Sequence, residues 1–169
     1  MWNYRGQGRP DFAAEPAAGQ ESAWDYPRPP ITEACSRLVE VKDGDTILAS
    51  TTSSYRVKET ASPPTFYLPP NDVRTELLVP VAGSSICEWK GAASYFALAR
   101  NPAEPIAWTY SRPRPRFDQI RNFYAFYPGR IACYVDGERV EPQPGRFYGG
   151  WITSDVAGPF KGEPGTGHW

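Results

Sequence analysis

Few side chains in this sequence could perform catalysis, and the most reactive of them is a cysteine close to a lysine. Residues 87–91 read CEWKG, so the Cys87 thiol stands three positions before the Lys90 ammonium. A nearby positive charge stabilises the thiolate, which is the nucleophilic form of cysteine. If the segment is a strand, however, Cys87 and Trp89 share one face while Glu88 and Lys90 share the other. Cys87 is then more simply a small buried residue beside Trp89, with a reactive thiol as the alternative.

Charged residues within otherwise apolar strands are the second group of candidates, and they comprise Arg37, Glu59 and Lys90. A charge held partly inside a protein needs an ion-pair partner or a ligand. Arg37 and Glu59 could form a structural ion pair between neighbouring strands. Glu59 could instead act as a general acid or base. A metal-independent enzyme using Cys87 or Glu59 therefore remains an alternative function.

Tryptophans in separate motifs, with tyrosines nearby, are the third group. Aromatic walls bind planar or cationic ligands through stacking and cation–π contacts. The same rings also fill the core of a small β domain, so each could equally be structural. The leading hypothesis is a small-molecule or modified-residue binding module. We predict that its cleft is lined by Trp89, Trp108, Trp151 and Tyr127, with polar contacts from Glu59, Lys90 and Arg37.

The scarcity of histidine and the pattern of cysteines argue against several kinds of site. The only histidine is His168, one residue from the end of the sequence, so catalytic triads and His-based metal sites lack their imidazole. The three cysteines are an odd number and include no C-x-x-C pair, which argues against a disulfide framework and a Cys-based zinc site. We expect no cofactor or metal, and a soluble protein in a reducing cytoplasm.

Charge and composition indicate a folded, turn-rich β domain. The formal net charge is −1, so no overall field attracts the chain to nucleic acid or to an anionic membrane. The 19 prolines and 15 glycines are numerous, but 14% of the residues are aromatic, which favours a packed core over disorder. Oligomeric state is not indicated by any of these features.

Two Asp-Gly pairs predict β-hairpins, in residues 38–49 and 131–140, because both turn residues tolerate positive φ. The first hairpin places Val39 and Val41 on one face. One short helix is predicted over 71–77 and another near 116–122. Further strands are predicted at 54–59, 64–68, 85–90, 93–99, 104–110 and 122–127.

The chain is predicted to be one mainly β domain, residues 25–169, with an extended N-terminal arm, residues 1–24, and a C-terminal wrap that starts at Pro142. The arm is rich in aromatic side chains, so we expect it to be anchored on the domain. Residues 27–30 (PRPP) also fit a P-x-x-P ligand pattern. A protein-interaction domain that uses this Pro-rich arm is therefore a further alternative.

The motifs together resemble the bacterial proteins grouped as domain of unknown function family 427. The resemblance covers about residues 24–169 in order. It is carried by the segments YPRPP (26–30), SPPTFYLPP (62–70), CEWKG (87–91), AW (107–108), AFYP (125–128), VDGE (135–138), FYGGWIT (147–153) and GPFKG (158–162).

The resemblance implies a β-tent fold, in which two antiparallel sheets meet at an angle. This fold is similar to that of type-B methionine sulfoxide reductases and of the thalidomide-binding domain of cereblon. Those relatives often carry a zinc ion held by two cysteine pairs, which this chain lacks. The family implies no activity. It has been filed beside nucleotidyltransferases, but Gly83-Ser84 is not followed by an Asp-x-Asp motif.

Overall fold

A computed structural model describes residues 1–169 and contains fifteen strands and four short 3-10 helices. As predicted, the fold is mainly β, with several antiparallel sheets. The strands are β1 (Glu21–Ser22), β2 (Ile31–Cys35), β3 (Val39–Asp43), β4 (Thr46–Thr51), β5 (Ser54–Lys58), β6 (Thr65–Tyr67), β7 (Leu78–Cys87), β8 (Gly91–Leu98), β9 (Ala107–Thr109), β10 (Tyr124–Phe126), β11 (Ala132–Val135), β12 (Glu138–Arg139), β13 (Glu141–Pro142), β14 (Trp151–Ile152) and β15 (Val156–Ala157). The helices are η1 (Ala23–Asp25), η2 (Pro70–Asp72), η3 (Thr75–Leu77) and η4 (Pro115–Ile120).

The strands form two larger antiparallel sheets and three smaller ones. One four-stranded sheet has the order β10-β9-β8-β7, and the other has the order β12-β11-β3-β4. A three-stranded sheet has the order β2-β5-β6, and the short pairs β13-β14 and β1-β15 attach the C-terminal segment. No helix is long and apolar enough to cross a membrane.

Both predicted Asp-Gly hairpins form, although one of them turns a residue later than expected. In the second hairpin Asp136 and Gly137 are the loop and both have positive φ, 48° and 82°. In the first hairpin Asp43 pairs with Thr46 instead, so the loop consists of the next two residues, 44 and 45.

Two hydrophobic cores lie on opposite faces of β6, β9 and β10. Side chains alternate across a strand, so Phe66 and Ala107 pack in the larger core while Tyr67 and Trp108 pack in the smaller one. The larger core contains 17 buried residues and joins the two four-stranded sheets. The smaller core contains 8 buried residues and lies beneath the candidate site described below.

Trp151 belongs to the larger core, which contradicts the prediction that it lines a cleft. It is fully buried and stacks on Phe66, with a distance of 4.9 Å between the ring centroids. Its indole Nε1 donates a hydrogen bond to the backbone oxygen of Phe126 at 2.9 Å. Burial of the whole ring with its N–H satisfied is typical of a structural tryptophan.

The arm packs on the domain through a cluster of rings. Trp24 is fully buried, with its ring edge-on to Tyr4, Phe12 and Trp169 at centroid distances of 5.1, 5.2 and 5.2 Å. The backbone N–H of Asn3 also donates to the backbone oxygen of residue 168 at 2.8 Å. The first and last residues of the chain therefore lie side by side.

Arg37 does not pair with Glu59, so that prediction is wrong. Its guanidinium donates instead to Asp136 at 2.8 Å and to Asp155 at 2.6 Å. Asp136 lies in the second hairpin loop and Asp155 directly precedes β15. The side chain is thus an electrostatic link between two chain segments and lies outside the predicted cleft.

Two secondary-structure predictions also need correction. The strand expected at 85–90 ends at Cys87, and the next three residues form the turn between β7 and β8. Trp89 and Lys90 therefore lie on a hairpin tip and do not alternate across a sheet. The helix expected over 71–77 is two separate 3-10 turns, η2 and η3, because β-type backbone at Val73 interrupts it.

We predict that Arg37→Met lowers the free energy of unfolding by about 1 kcal/mol at neutral pH. The hydrogen bond from Arg37 lowers the pKa of Asp136. Burial raises the pKa of Asp155, but the hydrogen bond from Thr153 and the charge of Arg37 bring it below its usual value.

Since both pKa values lie below those of the unfolded chain, this stabilisation is fully present above about pH 4 and is lost as the pH falls through the folded-state values. Urea denaturation of both proteins across this range should show the difference disappearing in acid. A difference that stays constant with pH would contradict the electrostatic explanation.

We also predict that Trp151→Phe costs about 1–3 kcal/mol, because it leaves the Phe126 carbonyl unsatisfied and opens a small cavity. Trp89→Phe is the matched control at a half-buried position, and it should cost less than about 1 kcal/mol. Urea denaturation monitored by circular dichroism measures both. Equal costs would mean that the two tryptophans have similar environments.

Candidate functional site

A cleft of about 630 Å³ opens between the β7–β8 hairpin tip, the segment after β13 and the start of the arm. Its size is typical of small-molecule pockets, which span roughly 300–1,000 Å³. The hairpin tip contributes Cys87 through Lys90, and the segment after β13 contributes Gln143 and 146–150. The cleft is the best candidate for a functional site because aromatic and charged side chains from distant parts of the sequence converge there.

Aromatic rings form the inner wall of the cleft. Trp108 on β9 is 7% exposed, and its ring centroid lies 4.5 Å from that of Tyr127 and 6.3 Å from that of Tyr67. Burial raises the pKa of Tyr127 to about 12, so its phenol is neutral near pH 7. Gly149 is required at its position, because a Cβ there would lie 2.3 Å from an atom of the Trp108 ring. The inner wall is therefore rigid, uncharged and closely packed.

Glu59 is held by two donors at the side of the cleft. Its carboxylate accepts a hydrogen bond from Arg28 Nε at 3.0 Å and one from the indole Nε1 of Trp89 at 3.3 Å. The carboxylate thus fixes the orientation of the Trp89 ring on the hairpin tip. Hydrogen bonds from a guanidinium and an indole hold the carboxylate in one orientation, so Glu59 is arranged to position its neighbours.

Arg28 is a cleft residue whose side chain is completely buried. Besides Glu59, its guanidinium donates to the backbone oxygens of Tyr4, Thr60 and Trp169, each at 2.8 Å. The ring of Trp2 covers it, with the centroid 4.3 Å from the guanidinium carbon. Arg28 therefore joins the arm and the C-terminal segment to the edge of the cleft.

Positive charge predominates among the remaining charged side chains of the cleft. With Arg28 and Glu59 neutralising each other, four cations and one carboxylate are left, and none of these cations forms an ion pair within 4.0 Å. The cations are Lys90, Arg130, Arg146 and Lys161, and the carboxylate is Glu88. Since the whole chain has a net charge of −1, the cleft differs in sign from the rest of the molecule.

Lys161 is the most deeply buried of these cations, with 3% of its surface exposed. Its Nζ lies 3.7 Å from the centroid of the Trp2 ring and 5.5 Å from that of Tyr148. Burial lowers the pKa of Lys161, and the positive charge of Arg28 lowers it further, against the opposing charges of Glu59 and Glu88. The ammonium donates no hydrogen bond within the protein, so it is free to interact with a molecule in the cleft.

Cys87 lies half-buried at the end of β7 and packs against the smaller core. It is thus both a cleft residue and a packing residue. The other two cysteines lie elsewhere: Cys35 packs against the larger core and Cys133 is buried within it. Burial strongly raises the pKa of Cys133. All three cysteines are free thiols.

Five of the seven residues predicted to bind a ligand do line this cleft: Trp89, Trp108, Tyr127, Glu59 and Lys90. Trp151 and Arg37 do not, since Trp151 is in the larger core and Arg37 pairs with two aspartates. No group of three or more metal-ligating side chains lies close enough together to hold an ion.

Sequence reasoning missed Arg28, Lys161 and Trp2. Arg28 and Lys161 stand within the motifs YPRPP and GPFKG, each of which has a single charged residue among Pro, Gly and aromatic residues. A lone cation in such a setting, where the neighbours favour burial, is the signal that could have identified them. Trp2 carries no comparable signal, because its role depends on where the arm folds.

Comparisons with known proteins identify a family and no activity. A search of the curated proteins finds no match. The family model described as "Domain of unknown function (DUF427)" matches residues 31–139, which is more than half of the chain. This range includes β2 to β12 and the hairpin tip with Trp89 and Lys90. The chain therefore belongs to the DUF427 family.

Proposed function

We propose that this protein binds a small planar organic anion, such as an aromatic carboxylate or a nucleotide, in the cleft between the β7–β8 hairpin and the segment after β13. The observation that carries the proposal is the combination of an aromatic wall with four unpaired cations in one cleft of about 630 Å³. The aromatic wall favours a flat ring in the ligand, and the cations favour a negatively charged group on that ring.

The aromatic wall favours a flat ring. Trp89 lies half-buried on the hairpin tip, with its indole N–H held by Glu59 at 3.3 Å. A ring fixed in this way presents a stacking surface at little conformational cost. Trp108 and Tyr127 add an apolar surface on the inner side. Together these side chains offer a planar ligand an aromatic and apolar surface.

The charges favour a negative group on that ring. An ammonium ligand would also be attracted to the aromatic faces, but it would be repelled by four unpaired cations that only Glu88 opposes. An anion is attracted by the same cations. Electrostatic complementarity of this kind determines ligand choice more than it determines total affinity.

A binding role also agrees with the state of the charged groups. Glu59 is held between Arg28 and Trp89, which suits positioning better than proton transfer. The arm packs on its own domain, where the rings of Phe12 and Trp24 contact that of Trp169. The cleft, with its charged side chains that lack ion-pair partners, therefore remains the best candidate for the functional surface.

The proposal predicts that affinity follows the charge of the ligand within a series of equal shape. Naphthoate, naphthamide and a naphthyl trimethylammonium salt provide such a series. A ligand at about 100 times its Kd adds about 2.7 kcal/mol, which raises Tm by roughly 5–10 °C for a chain of this size. We expect naphthoate to give the largest shift and added salt to reduce it. Equal shifts, or the largest shift from the ammonium salt, would contradict the proposal.

Two substitutions and one control test where the anion binds. Trp89→Ala should weaken naphthoate binding by about tenfold through lost stacking, and Lys90→Met by about threefold through lost charge. Lys42→Met is the matched control, because its ammonium also lies over a tyrosine ring, at 4.9 Å from Tyr134, but outside the cleft. Titration calorimetry should show unchanged affinity for the control. An equal loss in both lysine variants would place the binding elsewhere.

A further inference from the structure

The backbone around Lys161 is fixed at both sides. Its N–H donates to the backbone oxygen of Ala61 at 2.8 Å, and its own oxygen accepts from the amide of Gln143 at 2.7 Å. Ala61 is fully buried and Gln143 is 4% exposed. The side chain therefore has a fixed origin, and it extends into the cleft, where Trp2 and Tyr148 contact the ammonium.

Lys58, the other buried lysine of this protein, provides a comparison for the ammonium of Lys161. Lys58 is 9% exposed, and its ammonium donates to Glu33 at 2.6 Å. Burial of a lysine ammonium is expensive without such a partner. Lys161 is more deeply buried, yet no carboxylate lies within 4.0 Å of its ammonium and the ammonium donates no hydrogen bond within the protein. The carboxylates of Glu59 and Glu88 act on it only from a greater distance. The Lys161 ammonium instead lies over the faces of two aromatic rings, those of Trp2 and Tyr148.

We propose that Lys161 is a nucleophile that forms an imine with a carbonyl compound, an aldehyde or ketone carried by an anionic ligand of the cleft. The inference rests on the proposed function, because the binding of the anionic group brings the carbonyl to the amine. Lysines that form imines are typically those whose ammonium is desolvated or lies near another cation. Lys161 meets the first condition because it is buried in the cleft. The positive charge of Arg28 acts on it as the second condition requires, against the opposing charges of Glu59 and Glu88.

The lowered pKa of Lys161 supports this role. A lower pKa increases the fraction of neutral amine at a given pH, by about tenfold for each unit. Only the neutral amine has the lone pair that attacks a carbonyl carbon. The direction of the change is therefore the one that nucleophilic attack requires.

The reaction is a condensation in which nothing is oxidised or reduced. The Lys161 ammonium first gives one proton to water, and the amine nitrogen then forms a bond to the carbonyl carbon. The carbinolamine oxygen takes up protons and leaves as water, and the nitrogen keeps one proton in the resulting iminium. In total, one ammonium and one carbonyl give one iminium and one water. The charge of +1 is conserved.

Reductive trapping tests the proposal directly. The protein is incubated at neutral pH with para-formylbenzoate and sodium cyanoborohydride, which reduces an iminium to a stable secondary amine. Peptide mass spectrometry then measures the modification at each of the four lysines, Lys42, Lys58, Lys90 and Lys161. We expect Lys161 to be modified at least about tenfold faster than any other lysine. Modification spread evenly over the lysines, or none at Lys161, would overturn the proposal.

Two variants test whether Lys161 is the residue that forms the trapped adduct. Lys161→Arg keeps the positive charge but cannot form an imine, so the adduct at position 161 should disappear while the slower trapping at the other three lysines continues. Lys58→Arg is the matched control at the other buried lysine, and it should leave the adduct at full yield. If Lys161→Arg does not fold, peptide mapping of the wild-type protein decides the question alone.

Parallel measurement of benzoate binding separates this inference from the proposed function. Benzoate has the same ring and charge but no carbonyl to condense. A Tm shift with benzoate and no trapped Lys161 would overturn the nucleophile and leave the anion site intact. No shift with benzoate, together with rapid trapping at Lys161, would support the nucleophile and contradict the anion site.

Discussion

The buried guanidinium of Arg28 is the group on which the arrangement of the cleft depends. Taking an arginine out of water costs several kcal/mol unless its donors are satisfied. Here they are satisfied by Glu59 and by backbone oxygens of residues 4, 60 and 169. Two of these oxygens belong to opposite ends of the chain. Arg28 is therefore satisfied only when the arm and the C-terminal segment have both closed against the domain, so the cleft forms together with the chain termini.

A second constraint is the alternation of side chains on short strands buried on both faces. On β9, Ala107 faces the larger core and Trp108 faces the cleft, and on β6 Phe66 and Tyr67 divide in the same way. Because the side-chain period is two, a shift of one residue in either strand would exchange the two sets. The position of Trp108 in the cleft is thus fixed by the packing of the larger core on the opposite face.

Local signals in the sequence predict the fold class and the presence of both hairpins, and they single out five of the residues that line the cleft. Asp136 and Gly137 favour one turn geometry, and Trp89, Trp108 and Tyr127 each stand in a short motif that contains aromatic residues. Trp151 and Arg37 were misassigned for another reason. Whether a tryptophan packs inside or lines a cleft depends on the partner it meets, and Trp151 meets Phe66, 85 positions earlier in the chain. Such long-range pairs have no signature in spacing.

Some charged side chains of this protein are paired with each other and others are not. The pairing distinguishes charges that serve the fold from charges that are available to a ligand. On the side of β5 away from the cleft, Arg56 and Lys58 are nearly buried, and both are paired with carboxylates of Glu21 and Glu33. In the cleft on the other side none of the four cations forms an ion pair, although Arg130 donates a hydrogen bond to the backbone oxygen of Pro105. Stability alone favours neutralising or removing a buried charge, as the chain does on β5. In the cleft Lys161 is buried without an ion-pair partner, whereas Arg130 and Arg146 are exposed. An unpaired excess of one sign beside aromatic rings therefore indicates a ligand of the opposite sign, and Lys161, the most buried member, is where that argument is strongest.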